Sequence, residues 1–186
     1  GDFFSVIPTH WTMDIIAETG LPPDPGYVAC HELTHYVHAQ QTLRTFGFLN
    51  RAFGYVFTPQ YGLDSWFWEG LATYYEQALQ PRTGRPTWPA WEGMFRAAVS
   101  QKHIDGGDLD LQNRKVQWGN HYLYGSRFVG WLVRTYGEAR LWELIERQGE
   151  AVNFFSFINL RFRIVYQKTL SELIDDARFN SNNTEL

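Results

Sequence analysis

Residues 29–41 read ACHELTHYVHAQQ, with histidines at 31, 35 and 38. The surrounding pattern predicts one helix over about 25–44, starting near Pro25 to Tyr27, with Gly47 marking an end soon after. On such a helix the three histidines share a face. His31-Glu32-Leu33-Thr34-His35 is H-E-x-x-H, and its two histidines stand one turn apart, about 6 Å along the axis. Their imidazoles can converge on one metal ion. Glu32, one step round the helix, then lies beside the remaining coordination position, where it can take a proton from a water that the metal has acidified.

A catalytic zinc takes a third protein ligand and keeps one position open. His38 lies seven residues from His31, roughly 10 Å along a straight helix, too far for metal–nitrogen bonds of about 2 Å. Proteases that draw a third histidine from this segment break the helix with glycine, in H-E-x-x-H-x-x-G-x-x-H. The corresponding positions here are His38 and Gln41. His38 is therefore expected to support a cleft wall or face solvent. Glu69 is the better candidate. It sits in WFWEGLATYYE (66–76) on the next expected helix, and a carboxylate among Trp66, Phe67, Trp68 and Leu71 calls for a partner or a cation. Gly70 beside it lets a second backbone approach the metal-bearing helix closely.

Composition sets the bounds around this site. The chain of 186 residues suits a single domain, 1–186, with its own hydrophobic core. A formal net charge of −4 and the lack of a basic patch argue against nucleic acid or anionic membrane as a partner. A single cysteine, Cys30, excludes an internal disulfide and a cysteine-based zinc knuckle; it reads as a small core filler. No apolar run is long enough for a membrane span. The chain opens on GDFFSVIPTHW with neither Met nor signal peptide, as a processed protein or one domain of a longer chain would.

Elsewhere the pattern is mainly α. The first 24 residues mix β-formers with turn signals and admit a few short strands. Residues 49–61 read as irregular. A helix covers about 63–80, with Asp64 or Ser65 able to cap it, and PRTGRPTWP (81–89) breaks the chain. Helices follow over 90–104, 121–137 and 138–148, with Gly137 as a left-handed C-cap. LRFRIVYQK (160–168) is a strand or a buried helix, and Thr169 caps a last helix in LSELIDDARF. The C-terminal helical part spans about 118–180. His10 and His103 have no partners in sequence, DGGDLDLQN (105–113) is a polar surface loop, and Trp88 and Trp91 suit either a cleft rim or anchors on the core.

HELTH followed by W-x-x-E-G-x-x-x-Y-x-E resembles the gluzincin zinc metallopeptidases, above all the catalytic domain of aminopeptidase N-type enzymes and their smaller peptidase-MA-like relatives. The likeness runs over about residues 26–148. It implies a thermolysin-like helical catalytic domain, a Zn²⁺ cofactor held by His31, His35 and Glu69, Glu32 as general base, and a peptide or protein substrate. Trp66, Gly70, Tyr74 and Glu76 also fall on the family pattern. HYLYG then places Tyr122 in the role of the tyrosine that steadies the oxyanion, three residues before Gly125, with Tyr124 and His121 as alternatives. Helical facing suggests that Glu76 accepts a hydrogen bond from a ligand histidine.

The glycine-rich Met-Glu-Asn stretch that grips a free amino terminus in aminopeptidases has no counterpart in residues 1–30, which argues either against aminopeptidase specificity or for an N-terminal β lobe that is reduced or absent. Small bacterial relatives are often exported, which leans the compartment toward the periplasm or the exterior. Two other readings stay open: an inactive zinc-binding interaction domain of a larger protein, and a zinc hydrolase of small non-peptide substrates.

Overall fold

The computed structural model describes residues 25–42, 44–54, 59–79, 84–100, 120–150 and 158–179, and among these every regular element is helical. In chain order they are α1 (Pro25–Ala39), α2 (Arg44–Phe53), α3 (Ser65–Leu79), α4 (Pro89–Ser100), α5 (Asn120–Tyr136), α6 (Glu138–Gly149), α7 (Ile158–Tyr166) and α8 (Leu170–Phe179). Short 3-10 turns, Pro59–Gly62 and Arg85–Thr87, precede α3 and α4. The fold is mainly α. The strands expected in the first 24 residues, His10, His103 and the 105–113 loop lie outside the described residues. Among the described residues no helix is long and apolar enough to cross a membrane.

Several helix ends fall where local chemistry puts them. Gly137 closes α5 at φ +86°, and its N–H donates to the Val133 carbonyl at 2.8 Å. Thr169 opens α8 with a reciprocal cap. The Glu172 N–H donates to Thr169 Oγ1 at 3.2 Å, and the Thr169 N–H donates to the Glu172 carboxylate at 2.7 Å. Residues 160–168, open between strand and helix in the sequence, supply most of α7.

Two boundaries differ from expectation, for a tertiary reason. Helix α1 stops at Ala39 rather than near 44, and α2 occupies a stretch read as a helix end followed by irregular chain. The break lies where Gln41 meets the rest of the molecule. Its carbonyl accepts from Gln60 Nε2 at 2.9 Å, and it runs so close to Gly149 that a Cβ there would lie 2.2 Å from it. A carbonyl held in this way no longer needs a partner further along a continued helix. Gly47 lies inside α2.

Helix α3 is the centre of the fold. It packs most extensively on α5 and next on α1, while α6 bridges α5 to α7. Gly70 and Gly125 face each other where α3 crosses α5. A Cβ on Gly70 would lie 2.5 Å from the Gly125 backbone, and one on Gly125 would lie 2.5 Å from the Trp66 carbonyl. The close approach at Gly70 is thus to α5, and not to the helix that carries HELTH. Around it Phe67, Leu71, Leu123, Leu132 and Phe162 are buried, each contributing about 1.5–3 kcal/mol by leaving water. Helix α6 shows the ordinary pattern, burying Leu141, Leu144, Ile145 and Gln148 at i, i+3, i+4 and i+7.

Candidate metal centre

A helix at a protein surface normally turns its apolar stripe inward. Helix α1 does the reverse. His31, Thr34 and His38 are buried, whereas Leu33, Tyr36 and Val37 are 56%, 60% and 39% exposed. Burying a polar stripe is unfavourable unless its groups find partners. Thr34 donates to the Cys30 carbonyl at 2.7 Å, and the histidines turn to α3 and to Gln60. Cys30 itself is only partly buried, so the expected core filler is not in the core.

The structure brings His31, His35 and Glu69 together. His31 Nε2 lies 3.0 Å from His35 Nε2 and 3.2 Å from Glu69 Oε2, and His35 Nε2 lies 3.3 Å from the same oxygen. These are the ligand-type atoms of a group that could hold a metal ion. Ligands of a tetrahedral zinc with bonds of about 2.0–2.1 Å stand about 3.3–3.4 Å apart. The observed spacing is close to that, so the donor set fits such an ion. Charge arrangement points the same way. Burial pushes the Glu69 carboxyl up, but hydrogen bonds from His31 and His35 outweigh it and hold the group far below the usual carboxylate range.

His31 is held from behind. Its Nδ1 lies 2.9 Å from Oε1 of Glu76, a carboxylate with no exposed surface. Burial pulls the His31 imidazole down, yet hydrogen bonds to Glu69 and Glu76 outweigh it and its pKa rises. Arg85, from the 3-10 turn before α4, reaches the same place. Its N–H donates to Glu76 Oε2 at 2.9 Å, its Nε donates to Oε1 at 3.0 Å, and its Nη2 pairs with Oε1 and comes within 2.8 Å of His31 Nδ1. Nδ1 serves only one of these neighbours at a time. A protonated Nδ1 donates to Glu76 and leaves the Nε2 lone pair facing the triad; an unprotonated one accepts from Arg85 and turns an N–H toward Glu69. Only the first arrangement makes Nε2 a ligand.

The remaining candidates separate by position. Tyr122 lies at the site, its ring centroid 6.0 Å from that of His31 and 4.3 Å from the Arg85 guanidinium carbon. Burial first, and then the charge of Glu69, raises its pKa, so the hydroxyl keeps its proton. The His121 ring lies tilted against Tyr122 with centroids 4.1 Å apart, and burial lowers its pKa. Tyr124 points into the core beside Phe95. Glu32 is exposed, and among the described residues no ion pair ties it to the cluster. His38 is outside the cluster and fully buried: its Nε2 meets Gln60 Oε1 at 3.0 Å and its ring lies 4.2 Å from Trp68. It is packed in the interior and does not face solvent. Trp88 is buried and Trp91 packs on the core, so both act as anchors.

Comparison of the chain with protein-family models, with curated proteins and with solved structures found no match. Function therefore has to be argued from the site itself. Two of its residues escaped sequence reasoning. Gln60 lies in a stretch without periodicity, and Arg85 in one read only as a chain break. Neither carries a local signal, because each finds its partner only when the chain folds back.

Proposed function

We propose that the chain is a zinc-dependent peptidase of gluzincin type that hydrolyses peptide bonds in a peptide or protein substrate. The observation that carries the reading is the convergence within 3.0–3.3 Å of His31 Nε2 and His35 Nε2, from a helix that buries its polar side, with Glu69 Oε2 from the helix packed against it. The order of motifs along the chain, HELTH, then WFWEG, then HYLYG, supports it.

His31, His35 and Glu69 would hold the ion, and Glu76 fixes the His31 ring so that Nε2 faces it. When bound, zinc supplies a water of lowered pKa and a charge that polarises a carbonyl. Glu32, exposed and next in sequence to His31, takes a proton from the attacking water and passes it to the leaving amine. The Tyr122 hydroxyl, kept protonated by burial and by the Glu69 charge, donates to the carbonyl oxygen as it becomes negative.

The test is elemental analysis with a peptide-library assay on wild type, Glu69→Ala and Glu32→Gln. Wild type and Glu32→Gln should hold about one zinc per chain, and Glu69→Ala should lose it. Cleavage by wild type should fall by about 10²–10⁴-fold in Glu32→Gln. A wild type that stays free of zinc after reconstitution refutes the reading. Zinc uptake without cleavage of any peptide refutes the peptidase and leaves the non-enzymatic domain or a hydrolase of small esters.

A further inference from the structure

Arg85 is the one cation among the described residues that reaches behind the triad, and the chain is shaped to bring it there. Gly84 takes φ +82°, and a Cβ on it would lie 2.7 Å from Glu76 Cβ and 3.2 Å from Glu76 Oε2. Only a residue without a side chain lets the turn press this closely on α3. The next residue then gives Glu76 a backbone N–H as well as its guanidinium. His31 supplies the carboxylate with a single bond, and Arg85 supplies the others described. The guanidinium is itself held over the Tyr122 ring at 4.3 Å. A buried carboxylate deprived of this clamp would be left with one neutral ring as its partner, and turning away from that ring is its available relief.

We infer that Arg85 is a positioning residue, which acts on the metal site through Glu76 by fixing the carboxylate that orients His31. The inference rests on the metal reading above. The polar contacts described for Arg85 are to Glu76 and to His31 Nδ1, on the far side of the ring from the converging Nε2, so it acts by positioning and is not itself catalytic. The forked shape matters as well as the charge, since a lysine ammonium cannot span both carboxylate oxygens while lying flat on an aromatic ring.

The test is titration of the metal-free full chain with Co²⁺, followed by its visible absorption, which reports ligand geometry. Wild type is compared with Arg85→Lys, Arg85→Met, Glu76→Gln and the double variant Arg85→Met/Glu76→Gln. Glu76→Gln should bind Co²⁺ about 10–100-fold more weakly, as loss of a partner behind a ligand histidine does. Arg85→Met and Arg85→Lys should each lose at least about tenfold, with an altered spectrum. The double variant should bind no more weakly than Glu76→Gln.

Arg85→Met leaves a buried carboxylate without its clamp and can fail to fold. The double variant removes both charges, so its comparison with Glu76→Gln decides the matter alone. A double variant tenfold weaker than Glu76→Gln shows that Arg85 acts independently and overturns the inference. So does Arg85→Lys with wild-type affinity and spectrum. A wild type that binds no Co²⁺ overturns the metal reading itself, a different result from either of these.

Discussion

Acidification from pH 7.5 to 5.0 should cost the protein about 2 kcal/mol through His38 alone. The ring is 1% exposed, against Trp68 and Phe67, and its Nε2 meets Gln60 Oε1 at 3.0 Å. Gln60 is fixed in that sense because its Nε2 donates to the carbonyls of Gln41 at 2.9 Å and Ile145 at 2.8 Å. The proton of the neutral ring therefore sits on Nε2, and Nδ1 has no hydrogen-bond partner among the described residues. A second proton would go onto that buried, unpartnered nitrogen, and burial lowers the pKa to about 3. With the folded value below the unfolded one, only the unfolded chain gains a proton below about pH 6.5, so stability is lost as pH falls toward 3.

At pH 5 the loss is about 1.5 units at roughly 1.36 kcal/mol each, and the full loss, below pH 3, is about 5 kcal/mol. The pH 5 figure depends only on the unfolded value so long as the folded one stays below about 4. His31 works in the opposite sense. Its pKa is raised, so its contribution is present at low pH and lost as pH rises. The quantity to measure is therefore the gap between wild type and His38→Gln in urea unfolding, with chelator present, at the two pH values. The gap should shrink by about 2 kcal/mol at pH 5. An equal gap at both pH values would refute a neutral, buried His38.

Gly125→Ala should destabilise the fold by at least about 1–3 kcal/mol, because its Cβ would meet backbone of α3 rather than a movable side chain. Gly93→Ala in α4, where a Cβ meets nothing within 4 Å, should instead stabilise by about 0.5–1 kcal/mol; denaturant midpoints read both, and equal effects would refute the close crossing. On the proposed peptidase reading, Tyr122→Phe should bind zinc as wild type does while kcat falls by about 10²–10³-fold, and an unchanged kcat in steady-state assay would remove Tyr122 from the chemistry.

Much of this was legible in the sequence because it is local. The i, i+4 spacing of His31 and His35, the caps at Gly137 and Thr169, and the alternation that makes α6 are decided within a few residues of chain. Glu69 and Glu76 were legible for a related reason. A carboxylate in an aromatic helix is costly without a partner, and two of them two turns apart on α3 share a face. What could not be read is set by return contacts. Helix α1 ends where Gln60 and Gly149 take up the Gln41 carbonyl, and α2 begins beyond that break. Gly70 advertised a close approach, but nothing near it in sequence says which helix approaches.

Helix α1 shows why the site and the fold cannot be separated. Hydrophobic patterning would turn Leu33, Tyr36 and Val37 inward, and the structure turns them outward. Among the described residues of α1, those buried are His31, Thr34 and His38, all polar, so apolar burial contributes little to seating this helix. Its orientation is set instead by hydrogen bonds to Glu69, Glu76 and Gln60, each of which comes from elsewhere in the chain. Such a face is unfavourable for a helix with no task beyond packing, since apolar side chains of similar volume would hold it at least as well. The inversion is what the proposed role would require of this helix, since it holds the His31 and His35 ring nitrogens oriented and within 3.0 Å of each other.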